Sequence, residues 1–258
     1  MNDFETTSVP LSEAEQKQIQ KDRRADRFDK ISSIVWLVFS VLAFVVLALK
    51  LVVFQQVNVI GRSMEPNYQQ GQKLLLNKVN TDMQRGQVVS VYEFKEMAAD
   101  ANFITKAFPT LSKNNPRFLL KRVIGLPGES IEILGSKVII YNQDNPNGIT
   151  LNEDYLAQSV KDLTAAGCFR GADYFGKTKI ELNHYFLMGD NRCESLDSRD
   201  AMHGTYDKSL LFGEVIGRYW PFEERSMFAL PQYTQKPLDA QTKADLEKKR
   251  SYKDTFIP

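Results

Sequence analysis

The sequence predicts a mainly β domain carried behind a single apolar helix. Two features lead there. The stretch from Ile31 to Leu49, ISSIVWLVFSVLAFVVLAL, contains no charged residue. Beyond residue 54 the chain changes to short apolar runs separated by glycine, proline and asparagine. The bulk composition, 43% hydrophobic and 25% charged, is that of a folded protein. Its 258 residues suffice for one large domain or two small ones. With 33 Lys+Arg against 32 Asp+Glu there is no basic excess of the kind that binds phosphate backbones, so nucleic acid is not an expected partner. Two cysteines, Cys168 and Cys193, and two histidines, His184 and His203, are too few for a zinc site of the usual Cys/His ligands; any metal would have to rest on carboxylates, and neither metal nor cofactor is expected.

In chain order, residues 1–30 are read as a cytoplasmic segment, with Ser12 to Lys30, rich in helix formers and charge, as a solvated helix. Residues 31–54 are the transmembrane anchor. At 1.5 Å per residue, about 19 residues cover roughly 28 Å, and Lys50 can extend its ammonium to the interface while Leu51 to Phe54 continue the apolar run. A core helix of this length would show a polar face, and here only serines interrupt the run. A cleaved leader would have a shorter apolar region and a small-x-small site after it, so the segment reads as uncleaved. Lys17, Lys21, Arg23, Arg24, Arg27 and Lys30 precede the span and only Lys50 and Arg62 follow closely, which places the N-terminus in the cytoplasm and the rest outside it.

Residues 55–231 are expected to form the extracytoplasmic domain. VNVI, KLLLNKV, QVVSVYEF, FLLKRVIG, SIEIL and KVIIYN read as strands. Turn-prone pieces at Gln69-Gln70-Gly71, Arg85-Gly86, Leu126-Pro127-Gly128 and Asn145-Pro146-Asn147-Gly148 separate them, which predicts an antiparallel sheet or barrel-like domain. An insertion over about residues 95–117 interrupts the pattern. Within it Met97, Ala101, Ile104 and Phe108 fall at helical spacing before Pro109, a small helical excursion. Residues 232–258, charged and proline-containing, are expected to be a short helix or a loose tail.

Three segments carry candidate chemistry. Ser63, in Gly61-Arg62-Ser63-Met64-Glu65-Pro66, follows the anchor so closely that about nine extended residues, at most about 30 Å, tether it to the bilayer. Gly before and Pro after a serine are also what a tight turn needs. Lys121, within Phe118-Leu119-Leu120-Lys121-Arg122-Val123-Ile124, shares a strand face with Leu119 and Val123, while Arg122 points the other way. Apolar surroundings would lower its pKa toward the range in which an amine accepts a proton. The alternative is a strand-edge lysine with its head in water or paired to a carboxylate. The third segment, Gly189 to Arg199, is a dense polar loop in which Ser195 sits among alternating acids and bases, and Asp197 and Arg199 are expected to pair. Either histidine is a poor candidate base, since neither accompanies a serine motif. For the cysteines, a disulfide in an oxidising exterior competes with two separate thiols, and the second is slightly favoured because spacing cannot show proximity.

Together, and in this order behind an anchor, these segments resemble the bacterial type I signal peptidases. Ser63-Met64-Glu65-Pro66 is similar to the nucleophile box of that family, Lys121 to Glu129 to its lysine box, and Gly189-Asp190-Asn191-Arg192 with Asp197-Ser198-Arg199 to its last box. Leu151 to Leu156 and Gly213 to Phe222 fit weaker stretches, so the resemblance runs from about Val57 to Phe222. It implies that 55–231 is a catalytic domain in which Ser63 is the nucleophile, Lys121 the base and Ser195 the group that orients the lysine. Met64, Pro66, Asp190, Arg192, Asp197 and Arg199 would be structural residues near the site. The backbone at Ser63 and Gly61 would serve the oxyanion; Gly61 stands where some members carry a serine hydroxyl, so that donor is missing. The stretch from Arg199 to Gly204 is longer than is common. The resemblance further implies a monomer in the bacterial cytoplasmic membrane, whose partners are membrane lipid and the signal peptides of exported preproteins, cut after Ala-x-Ala. Competing readings are a Ser/Lys peptidase with another substrate and a chaperone that keeps the fold without cutting.

Overall fold

The computed structural model describes residues 12–80, 82–93, 117–166, 168, 174–229, 233 and 235–255. The helical excursion expected at Glu96 to Phe108 lies outside them. Two compact units are present, one ending at Leu51 and one running from Val52 onward.

The first unit is dominated by α1 (Glu13–Val53), which joins the polar lead to the apolar stretch without a break. Trp36, Leu37, Phe39 and Phe44 are all more than half exposed on it. It is one helix long and apolar enough to cross a membrane. Transfer of such exposed apolar side chains to hydrocarbon is what stabilises a segment of this kind. The helix ends where Phe54 opens the first strand, pairing with Asn77.

The second unit is built from two antiparallel sheets. The larger takes β1 (Phe54–Asn58), β2 (Lys73–Asn77), β3 (Val88–Tyr92), β4 (Phe118–Gly125), β9 (His184–Met188), β10 (Tyr206–Asp207), β11 (Leu211–Trp220) and β12 (Ser226–Met227). Its order is β1-β2-β11-β3-β4-β9-β10, with β12 on β11. The smaller sheet takes β5 (Ser130–Leu134), β6 (Lys137–Tyr141), β7 (Ile149–Leu151), β8 (Tyr174–Lys179) and β13 (Gln235–Pro237) in the order β13-β7-β6-β5-β8. All six runs read as strands from the sequence contribute, although the VNVI run enters β1 at Val57 and its last residues lie outside the strand. The ten-residue β11 was not among those runs. It is nonetheless central, bridging β2 and β3 through long-range pairings that local periodicity does not encode.

From Lys121 onward β4 is buried on both faces, as is β9 from Tyr185 onward. Val123 and Leu187 point into one apolar cluster, with Leu74, Leu76, Val89 and Val91. Ile124, Phe186 and Met188 point into the other, with Ile131, Val138 and Ile140 from the smaller sheet. The chemistry-bearing strand therefore runs between two cores, which excludes water from both of its sides.

One expectation is refined and another corrected. The C-terminal segment, read as a short helix or loose tail, is the helix α3 (Ala240–Thr255), preceded by β13, which was not expected. Leu238 and Leu246 pack there against Ile139 and Tyr141, and Arg250 pairs with the buried Glu132 at 2.5 Å. Charge density concealed the few apolar positions that dock it. The two cysteines, favoured as separate thiols, form a disulfide with Cα atoms 5.2 Å apart. It joins the chain beyond α2 (Gln158–Ala165) to the loop after β9. The two cysteines stand 25 positions apart in the sequence, and spacing alone does not reveal that they meet.

Candidate active site

Lys121 lies on a central strand, opposite Val89 on β3, with its neighbours Arg122 and Val123 paired to β9. It is 2% exposed. The strand-edge reading of this lysine is thereby overturned. Its Nζ donates to Ser195 Oγ at 3.0 Å, and Ser195 is itself 2% exposed. Burial pulls the ammonium's pKa down from the usual 10.5 to about 8; Asp197 opposes the shift, Arg199 adds to it, and Asp190 and Glu93 oppose it more weakly.

The loop after β9 turns back beside the strand. Ser198 N–H donates to Leu187 O at 3.0 Å and Leu187 N–H to Ser198 Oγ at 2.9 Å. Asp197 organises the turn, accepting from Gly189 N–H at 2.9 Å and from Arg199 Nε and Nη2 at 2.9 and 2.8 Å. Burial alone would raise the pKa of its carboxyl, but the Arg199 hydrogen bonds and charge outweigh this and hold it below the usual value. The expected Asp197–Arg199 pair is therefore present.

Ser63 is half-buried in a tight turn, with Glu65 N–H donating to Arg62 O at 3.1 Å. Met64, 1% exposed, anchors that turn in the core, while Pro66 is exposed. The loop after β9 holds the turn from the other side: Asn191 N–H donates to Ser63 O at 3.0 Å and Asn191 Nδ2 to Arg62 O at 3.2 Å. Gly189 is the point of closest approach, where a Cβ would collide with Ser195 Oγ and with the Ser63 carbonyl oxygen. The serine paired with Lys121 and the main chain of Ser63 thus press on the same glycine. Gly61 has a φ of +81°, a conformation that disfavours any side chain, so the absent hydroxyl at this position matches the backbone.

Two buried arginines brace the site. Arg122 donates from Nε to Asp190 Oδ1 at 2.8 Å and from Nη2 to Oδ2 at 2.5 Å, with Nη1 on Gly86 O at 2.8 Å. Asn67, near the Ser63 turn, adds a bond to the same carboxylate at 2.8 Å. Arg192 pairs instead with Glu153. Sequence reasoning missed Glu153, Tyr155, Asn67 and the steric role of Gly189. Glu153 and Tyr155 lie within the Leu151 to Leu156 stretch, and a lone acid there carries no mark of its distant arginine.

A two-sheet β domain preceded by an apolar helix, with a buried lysine–serine pair beside a serine-bearing turn, defines a class: a serine endopeptidase of the membrane-bound kind. The family model described as signal peptidase, peptidase S26, matches residues 31–220. A signal peptidase I of Bacillus licheniformis is 32% identical over 198 residues, covering 76% of this chain and 94% of that protein. A signal peptidase I of Bacillus amyloliquefaciens is 30% identical over 167 residues, covering 64% and 75%. The crystal structure of a signal peptidase I from Enterococcus faecalis V583 superposes with a TM-score of 0.33 at 24% identity, covering 51% of this chain and 95% of that one. The chain belongs to the signal peptidase family, peptidase S26, and is a serine endopeptidase that cleaves signal peptides.

Proposed function

We propose that Ser63 is the nucleophile and Lys121 the general base in cleavage after an Ala-x-Ala site. Neutral Lys121 takes the hydroxyl proton as Ser63 Oγ bonds to the scissile carbonyl carbon. The C–N bond then breaks, the new ammonium returns the proton to the leaving amine, and water releases the signal peptide from the acyl-enzyme by the same steps in reverse. Ser195 holds the lysine in place, and the backbone N–H of Ser63 is one donor to the oxyanion. The observation that carries this reading is the 3.0 Å bond from a 2%-exposed Lys121 to Ser195. A lysine so desolvated has the proton affinity a base needs at moderate pH. Met64, Pro66, Asp190, Arg192, Asp197 and Arg199 support the geometry.

The enzyme works as a monomer, without metal or cofactor, its N-terminus in the cytoplasm and its catalytic domain outside, where cleavage sites emerge from the bilayer. An extended substrate adds as a strand, with small residues at alternate positions meeting shallow pockets. The test compares detergent-solubilised wild type with Ser63→Ala on a preprotein whose signal ends in Ala-x-Ala, reading the new N-terminus by mass spectrometry. Cleavage after that alanine by wild type alone is expected. Binding without cleavage by folded wild type, or equal cleavage by Ser63→Ala, would overturn the reading.

A further inference from the structure

Glu153 lies just after β7, and its side chain is 3% exposed; the Arg192 side chain it pairs with is 2% exposed. Arg192 Nη1 donates to Glu153 Oε2 at 2.8 Å, and Nη2 donates to Glu153 Oε1 and, at 3.0 Å, to Tyr155 Oη. Tyr155 closes the triangle by donating to Glu153 Oε1 at 2.5 Å, and its ring lies 4.2 Å from the Arg122 guanidinium. The remaining Arg192 donor, Nε, reaches Gly189 O at 3.2 Å.

This last bond connects a distant acid to the site. Gly189 is held at its carbonyl by Arg192 and at its N–H by Asp197, and Ser195 Oγ and the Ser63 carbonyl oxygen occupy the space a Cβ on it would need. A carboxylate accepts both η-nitrogens of a guanidinium at once and so sets the plane in which Nε points. An amide at the same place offers one acceptor and turns an NH2 toward the arginine, which frees the fork to rotate away from Gly189. We propose that Glu153 is a positioning residue for the reaction: by orienting Arg192 it sets the Gly189 peptide, and with it the Ser195 hydroxyl that holds Lys121. The proposal rests on the Ser63/Lys121 reading above.

Full-length wild type, Glu153→Gln, Glu153→Asp and Ser63→Ala are assayed in detergent for kcat and KM on the preprotein, from about pH 6 to 10, with thermal melting reporting the folded fraction. Glu132→Gln is the control. It removes an equally buried carboxylate, but from the Arg250 pair of the smaller sheet. For Glu153→Gln the expectation is a kcat about tenfold to a hundredfold lower with KM within about twofold, the size of effect a small misplacement of reacting groups produces. Its rising pH limb should move upward as water reaches the Lys121 ammonium, which faces Asp197, Arg199, Asp190 and Glu93. Glu153→Asp, which keeps the charge on a shorter arm, should fall between it and wild type. Glu132→Gln should melt lower with kcat and pH profile unchanged. Wild-type kcat and profile in folded Glu153→Gln, or the same kcat loss in both Gln variants, would overturn the proposal. If Glu153→Gln does not fold, Glu153→Asp decides, and wild-type kcat there overturns it. Wild type that cuts no better than Ser63→Ala would instead sink the underlying reading before any Glu153 variant is considered.

Discussion

Titrating Lys121 is the most demanding perturbation of the proposed chemistry, because one ionisation governs both rate and stability. With a pKa of about 8, about a tenth of the lysine is neutral near pH 7, about half near pH 8 and about nine-tenths near pH 9. Cleavage kcat/KM should climb about tenfold per pH unit below 8 and level off above it. The sign for stability follows from the same shift. The folded pKa lies below the unfolded 10.5, so the unfolded state binds more protons between the two values and stability rises with pH across that window. Below pH 8 the penalty on the buried ammonium is present in full, about 3 kcal/mol at 1.36 kcal/mol per unit. Lys121→Met keeps the chain length and removes the charge. Less about 1 kcal/mol for the lost bond to Ser195, it should be more stable than wild type by about 2 kcal/mol near pH 7, with the advantage vanishing toward pH 10.5, while cleavage is abolished. Urea unfolding and preprotein cleavage, measured across the same pH series, provide both readouts. A rate limb centred near 10.5, a rate flat with pH, or a Lys121→Met protein no more stable than wild type at neutral pH would refute the desolvation reasoning.

Gly189→Ala should lose nearly all activity with the fold retained, because the new methyl must displace Ser195 Oγ or the Ser63 carbonyl; cleavage and circular dichroism on the same sample check this. Replacing both Cys168 and Cys193 by serine should lower stability by about 3 kcal/mol, the chain-entropy value for a loop of this length, measured by urea unfolding against oxidised wild type. Asp197→Asn removes the buried carboxylate that pairs with the Arg199 guanidinium, 5% exposed, and should destabilise by about 3 to 5 kcal/mol. In wild type the Asp197 contribution is present above the usual aspartate pKa and is lost as pH falls through its lowered folded value; acid unfolding that starts earlier in wild type than in Asp197→Asn would contradict it.

Taken alone, the amino-acid sequence determined whatever is written in local pattern. Nineteen or so uncharged apolar residues make a membrane-length helix wherever they are placed, and alternation with glycine turns marks β4, β5 and β6 almost to the residue. Alternation also put Lys121 on the face of Val123, the face that meets the first core. The resemblance picked out Ser63, Lys121 and Ser195 before any contact was visible; the fold sets Lys121 Nζ 3.0 Å from Ser195 Oγ. Partner choice was not legible. Arg122 takes Asp190 across 68 residues and Arg192 takes Glu153 across 39, while Asp197 takes its near neighbour, and nothing local tells these acids apart. Nor could spacing show that Cys168 meets Cys193, that β11 runs through the middle of the larger sheet, or that a charged C-terminal segment docks through Leu238 and Leu246. Short-range periodicity reports which face of an element is apolar. Which faces meet, and therefore whether an ammonium loses its water, is decided only when distant strands close around it.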